Sequence, residues 1–222
     1  MGTRTLSEAD SKRLLADHGV TLAREELASS PEAAAAAADG IGYPVVVKLC
    51  GDEIAHKTER GLVRLGLADA GAVSAAAAEL LSLARPEDGP VELLVAEQVR
   101  GNRELICGLN HDPQFGMCVL LGLGGILAEA VADVAIRLVP ITRADALEMI
   151  DDLQTQALLG PFRGEPAVDH DRLADVLVGL SDAAAANPGL VSADLNPLIV
   201  CDGVPIAVDA LVEVGRDEEV TV

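Results

Sequence analysis

The chain has 222 residues, half of them apolar, and a formal charge of −20. That length fits one medium domain or two tightly associated lobes with apolar residues enough for a sizeable core. The charge opposes binding to a nucleic-acid backbone or an anionic membrane, so a phosphorylated ligand requires a local cationic pocket or a metal ion.

No run approaches the roughly 18 apolar residues of a membrane span, and "MGTRTLSEAD" lacks a basic stretch followed by an apolar one. Neither a span nor a signal peptide is expected, and the expected location is cytoplasmic. Cys50, Cys107, Cys118 and Cys201 stand singly in or beside apolar runs, without C-x-x-C spacing. They are expected to be buried and reduced rather than zinc ligands or disulfides.

In chain order, "LSEADSKRLLADHG" carries apolar residues at helical spacing, with Ser7 placed to cap and Gly19 to stop a helix. "SSPEAAAAAADGIG" opens on a Ser-Pro-Glu start signal and ends on glycine, a second helix. "YPVVVKLC" and "LVRLGL" read as strands around the polar "GDEIAHKTERG", followed by the helix "DAGAVSAAAAELLSLARPEDGP" and the strand "VELLVAEQV". The order helix, strand, helix, strand, loop, strand, helix, strand predicts an α/β lobe over residues 1–99.

After "RGN", a candidate hinge, "RELICGL" and "GMCVLLGL" read as a hairpin turned at Asp-Pro. "GLGGILAE" interrupts the pattern and "VAIRLVPI" resumes it. "TRADALEMIDDL" reads as a capped helix and "VDHDRLADVLVGLSDAAAAN" as a longer one. "LVSADLNPLIVCDGVPIAVDALV" reads as a strand, an Asn-Pro break, a strand, an Asp-Gly turn and a third strand. Residues 100–222 are therefore expected to form a second lobe mixing antiparallel strands with helices.

Only three of the 16 cationic residues are lysines, and two of those, Lys48 and Lys57, lie within ten residues of each other. Lys48 falls inside a strand-like run, where an ammonium group must pair with a carboxylate, snorkel to solvent or reach a ligand. A compact ammonium aimed at a phosphate is one such use. "HKTERG" offers an imidazole, an ammonium and a hydroxyl to a phosphate, yet it also suits a solvated connector. The strand, turn and returning strand near residue 200 bring Asn196 and Asp209 together across a hairpin, with Asp194 on the same face as Asn196. Such oxygen donors suit magnesium completed by water and phosphate. "GLGGIL" matches neither the P-loop nor the dinucleotide-binding spacing. Glu129 and Asp133 follow it, with helical roles at least as natural as chemical ones. His18, His111 and His170 read as structural or solvated.

With these pieces in order, the sequence resembles the ATP-grasp domain of the ADP-forming (NDP-forming) acyl-CoA synthetases. That superfamily includes acetate-CoA ligase and, more distantly, succinyl-CoA synthetase. The resemblance runs through "LSEADSKRLLADHGV", "GYPVVVK", "IAHKTERGLVRLGL", "DPQFG", "GLGGILAE", "DVAIRLVPITRADA" and "DLNPLIV" followed by "VDA". It departs in the lid loop, where Glu59 stands for the usual Asp and Leu62 for a second glycine, a change that predicts a stiffer loop.

The resemblance implies an ATP-grasp fold, α+β or α/β in class, whose two lobes clasp a nucleotide. It also implies roles for particular residues. Lys48 would reach nucleotide phosphates, Glu97, Gln98 and Val99 would form the hinge that meets adenine, and Glu104 would line the cleft. Asn196 and Asp209 would hold Mg²⁺, and Asp194 would stand near a partner's phosphohistidine. His56 would be a second phosphohistidine that carries phosphate between that partner and ADP or ATP. The implied protein is a β-type subunit whose CoA-binding α-type partner completes a hetero-oligomeric ligase: acyl-CoA + ADP + phosphate giving acid + CoA + ATP. A regulatory nucleotide-sensing module and another ATP-grasp carboxylate ligase are the competing readings.

Overall fold

The structure is a computed structural model that describes residues 2–54, 57–125 and 131–215. In chain order its elements begin β1 (Thr3–Thr5), α1 (Glu8–Ala16), β2 (Glu25–Ala28), α2 (Pro31–Ile41), β3 (Val45–Cys50), β4 (Val63–Leu67), α3 (Ala70–Ser82) and β5 (Glu92–Glu97). They continue with β6 (Glu104–Asp112), β7 (Gly116–Leu123), β8 (Val134–Leu138), α4 (Arg143–Asp152), α5 (Gln156–Leu159), α6 (His170–Ala186), β9 (Leu190–Cys201), β10 (Val204–Ala207) and β11 (Leu211–Gly215). Two compact units result, one of Thr5–Ala9 with Ala23–Gln98, the other of Met1–Arg4, Asp10–Leu22 and Val99–Val222. The expected first lobe, 1–99, included the whole N-terminal helix. Only the first two residues of α1 count with that unit, and Asp10 to Ala16 count with the C-terminal residues.

In the smaller unit the strands run β2-β5-β3-β4, antiparallel throughout. β3 is central and buried along its whole length, because it has a neighbour on each edge and helices packed over it. The alanine run forms α2 for local reasons. Ser30 accepts a hydrogen bond from Ala33 N at 3.1 Å, Pro31 occupies the first turn, and Gly42 leaves the helix at φ 95°. Ala34, Ala37 and Ala38 lie on its buried face, where small side chains let the helix approach α3 and the sheet closely. α3 is capped by Asp69, which accepts from Ala72 N at 2.8 Å, and it buries Val73, Ala76, Ala77 and Leu80.

In the larger unit the strand order is β1-β11-β9-β6-β7-β8, with β10 also paired to β9. The Asp-Pro signal makes the β6–β7 hairpin as read: Asp112 Oδ1 accepts from Gln114 N at 2.8 Å and Phe115 N at 2.9 Å. Thr142 and Asp145 form a reciprocal capping box on α4. Asp169 caps α6, whose buried face packs on β6, β7 and α4.

Three expectations need correction. Asn196-Pro197 does not break a strand, since β9 runs unbroken for 12 residues with this peptide bond cis. The missing N–H of Pro197 is tolerated because the ladder is already interrupted there. β9 pairs with β11 up to Asp194 and with β10 from Leu198, and its pairing with β6 shifts register between Leu105 and Cys107. β1 was not anticipated, being three residues held at the sheet edge by β11. Cys50 and Cys107 are buried, whereas Cys118 and Cys201 are only half-buried; all four are free.

Candidate functional site

In the smaller unit three buried charged side chains meet. Lys48 donates from Nζ to Glu8 Oε1 at 2.6 Å, and Lys57 donates to Glu8 Oε2. Glu8 is 2% exposed, Lys48 7% and Lys57 8%, so the carboxylate and two ammonium groups lie almost wholly away from bulk water. Burial of one charge alone is very costly, and each oxygen of Glu8 answers one lysine. The trio carries a net positive charge. Lys48 stands on the central strand beside Leu94 of β5 and Val63 of β4, which fixes its direction.

His56 lies outside the described residues. The described part of its loop is fastened at three points. Lys57 reaches Glu8, Leu62 is 1% exposed in the core with Leu49 N donating to its carbonyl at 3.0 Å, and Arg60 pairs with Asp88 through two hydrogen bonds of 2.7 and 2.9 Å. Leu62, where the second glycine was expected, is thus a core residue. The Arg60 guanidinium, aided by the backbone N–H of Arg85, holds the Asp88 carboxyl down at about 2.

The expected adenine hinge is occupied by protein contacts. Glu97 accepts from the backbone N–H of Arg24 at 3.0 Å and from its guanidinium at 2.9 Å. Gln98 Oε1 accepts from Gly66 N at 2.8 Å. Val99, half-buried, opens the larger unit.

In the larger unit the ladder brings Asp194, Asn196 and Asp209 together. Asp194 pairs with Leu211 and Leu198 with Ala207, so the segment 208–210 bridges the two ladders and puts Asp209 opposite Asn196. Asn196 donates its amide to Asp194. Asp194 is open to solvent on one side, yet surrounding protein withdraws it from water and raises its carboxyl above the usual range; the charge of Asp209 adds to that rise. Two carboxylates and an amide oxygen on one face, with like charges raising each other's energy, form a donor set that a hard divalent cation would relieve. Among the described residues no three His, Cys, Asp or Glu side chains are grouped to hold a metal. Asp194 and Asp209 are thus a pair of carboxylates, joined by the Asn196 amide, rather than a complete set of protein ligands.

Asn196 also lines a cavity of about 830 Å³ within this unit, together with Glu104, Gly124, Gly125, Phe162 and Arg163. Glu104 explains the last two glycines of "GLGG". Gly124 N donates to Glu104 O at 2.7 Å, a Cβ on Gly124 would meet Glu104 backbone carbon at 3.0 Å, and Gly125 sits at φ 77° beside the Glu104 carboxylate. Asp133 is structural: it accepts from the N–H groups of Gln154 and Thr155 at 2.9 and 2.8 Å ahead of α5. Glu129 lies outside the described residues.

The sequence reading missed Glu8, Arg103 and Arg163. Glu8 gave the signal of an ordinary first-turn acid. The only hint for Arg163 was "PFRGEP", a turn-forming composition between prolines.

Comparison with known proteins agrees with this architecture. The sequence profile of the ATP-grasp domain matches residues 1–214. The β subunit of acetate-CoA ligase (ADP-forming) I of Pyrococcus furiosus is 34% identical over 210 residues, which cover 93% of this chain and 90% of that subunit. Acetate-CoA ligase (ADP-forming) I of Archaeoglobus fulgidus is 33% identical over 94% of this chain, which spans only 31% of that longer protein. Among solved structures, the dinucleotide-forming acetyl-coenzyme A synthetase 1 of Candidatus Korarchaeum cryptofilum, in complex with coenzyme A, Ca-AMPCP and HgCl⁺, superposes with a TM-score of 0.87 at 32% identity, covering 96% of this chain and 94% of that one. Residue order, strand topology and these likenesses agree, and the chain belongs to the ATP-grasp domain family.

Proposed function

We propose that the chain is the nucleotide-handling, β-type subunit of an ADP-forming acyl-CoA synthetase. In that role it moves a phosphoryl group between ADP or ATP and an α-type partner that binds CoA. The observation that carries this reading is the Asp194, Asn196 and Asp209 face, an anionic oxygen set that calls for a cation beside a cavity able to take a ligand. Relatives named as β subunits of about this length, and longer single-chain ligases, support a division of labour with a partner. No described helix is long and apolar enough to cross a membrane, which accords with work in the cytoplasm.

Asn196 and Asp209 are the residues that would hold Mg²⁺, whose bound charge would offset that of the phosphates. Asp194, with its proton affinity raised, orients the Asn196 amide and is placed to steady a histidine ring presented by the partner. Glu104 lines the ligand cavity. Lys48 brings positive charge to the phosphates, and Glu8 holds its ammonium in one place until a stronger anion competes. Glu97, Gln98 and Val99 form the hinge whose backbone meets the base. His56 is the carrier: its ring nitrogen forms an N–P bond as the bond from phosphorus to the leaving oxygen of ADP breaks, and the reverse step returns the group.

The test is incubation of the purified chain, with and without its partner subunit, with γ-labelled ATP and Mg²⁺. The expected product is acid-labile, alkali-stable protein phosphate that disappears in His56→Ala while nucleotide binding persists. Label that survives this substitution, or that never forms with the partner present, would sink the proposal.

A further inference from the structure

Arg163 stands apart from the other cations that could serve the cavity. It lines the same space as Glu104 and Asn196, it is exposed, and among the described residues it forms no ion pair; its guanidinium lies only over the Phe162 ring, 5.2 Å from the centroid. Most described arginines of this acidic chain are paired with a carboxylate, including Arg103 in the same cavity wall. An unpaired guanidinium at a cavity mouth in a protein of charge −20 is poised for an anion from outside.

The backbone points the same way. Phe162 N donates to Glu165 O at 3.1 Å and Glu165 N to Phe162 O at 2.9 Å, which closes a two-residue turn at Arg163 and Gly164. Both central residues have positive φ, 48° and 88°. Such turns favour Asn or Gly at the first of these places, and an arginine there is held in a conformation that its Cβ resists. A disfavoured residue kept at a cavity rim suggests that its side chain has a task.

The turn is also braced. Arg103, 5% exposed, donates to the carbonyls of Leu158 at 3.2 Å, Gly160 at 3.0 Å and Pro166 at 2.6 Å, and to the Glu165 carboxylate at 3.2 Å. Glu165 accepts in addition from the backbone and side chain of Asn102 at 2.9 and 2.7 Å. One buried guanidinium thereby fixes the loop that presents the other, next in sequence to Glu104. Rigid presentation lowers the ordering cost of capturing a ligand.

We infer that Arg163 is a phosphate-binding arm of this cavity, engaging phosphoryl oxygens of the group that the chain transfers. The inference rests on the proposed phosphoryl-transfer reading and adds to it a residue, a ligand chemistry and a place. Two sources carry that chemistry: the phosphates of the nucleotide and the phosphoryl group of a phosphorylated histidine. Asn is the informative replacement, because it suits the turn and deletes the charge.

The experiment titrates wild-type chain, Arg163→Asn and Arg163→Lys with MgATP and, separately, with phosphoramidate, a small anion bearing an N–P bond, while thermal melting checks the fold. Arg163→Asn is expected to melt no lower than wild type and to bind one ligand roughly ten- to a hundredfold more weakly, with Arg163→Lys recovering part of the loss. Weaker MgATP binding assigns the arm to the nucleotide, and weaker phosphoramidate binding alone assigns it to the phosphorylated imidazole. Wild-type affinities for both ligands in Arg163→Asn would overturn the inference. Failure of the parent reading is separate: it appears as absent His56-dependent label, whatever Arg163→Asn does to binding. A wild-type chain that binds neither ligand overturns the inference about Arg163, and the His56 label then decides the parent reading by itself.

Discussion

Replacing Glu8 by Ala should destabilise the smaller unit severely, and the structure gives the size. The substitution removes the carboxylate that Lys48 and Lys57 share while leaving their ammonium groups at 7% and 8% exposure. Removing one member of a buried, hydrogen-bonded charge pair costs about 3–5 kcal/mol, because the remaining charge keeps its desolvation penalty and loses its compensation. For a chain of this length each kcal/mol corresponds to about 2–4 °C, so the transition reporting this unit should fall by about 6–20 °C. Thermal and urea melts followed by circular dichroism measure it. The origin is checked by Glu8→Ala with Lys57→Met: if uncompensated charge is the cause, the second change recovers part of the loss, with a coupling of at least about 1 kcal/mol. A Glu8→Ala chain that melts within about 2 °C of wild type would refute the reasoning, since it would mean that water or another anion serves these lysines as well.

Asp194→Asn tests the electrostatics of the β9 face. The raised carboxyl means that the folded protein holds this proton to higher pH than the unfolded chain, so its stabilising contribution is full below the unfolded value near 3.9 and is lost as pH rises through the folded one. The melting temperature of Asp194→Asn relative to wild type should therefore rise from pH 3.5 to pH 7, and a gap that stays flat would contradict the rise that burial, with the charge of Asp209, gives this carboxyl. Asp88 has the opposite sign. Its carboxyl is held at about 2, so its contribution is present above about pH 4 and lost between about 4 and 2, and Asp88→Asn should flatten acid unfolding over that window. Two glycines in helices should respond oppositely to alanine. Gly40, with open space around its Cβ position in α2, should gain about 0.5–1 kcal/mol. Gly179→Ala in α6 would set a Cβ 2.4 Å from the His18 carbonyl oxygen and should lower the melting temperature despite the better helix propensity; equal gains at both sites would show that the α6 contact can relax.

The elements that could be read from sequence were those whose causes are local. The Ser30-Pro31 start of α2, the Asp112 turn of the β6–β7 hairpin, the Thr142 capping box and the Asp202-Gly203 turn each lie within a few residues of the chemistry that forms them. Sheet order was not legible, because the place of β3 between β5 and β4 depends on which apolar faces meet at long range. Pro197 shows the limit most clearly. By local rules it ends a strand, and only the change of partner from β11 to β10, together with the register shift against β6, lets β9 pass through it.

The same division runs through the candidate site. Asn196 and Asp209 were legible because one hairpin joins them, whereas Glu8 and Lys48 lie 40 positions apart, Arg103 and Glu165 62, and Arg24 and Glu97 73. Charge pairing at such separations leaves no periodic trace, so the sequence favoured a phosphate as the target of the Lys48 ammonium over a carboxylate it had no means of locating. In the structure that carboxylate is Glu8, which changes how the lysine can act. In the proposed role, a nucleotide phosphate engaging Lys48 would have to outcompete a carboxylate already in contact at 2.6 Å, and Lys57 would keep Glu8 charge-compensated as Lys48 turned away. The second lysine, beside His56 in sequence, would thus lower the cost of releasing the first. Lys57→Met should accordingly weaken MgATP binding, although it removes a cation that need not touch the nucleotide, and an unchanged affinity would show that the two lysines act independently.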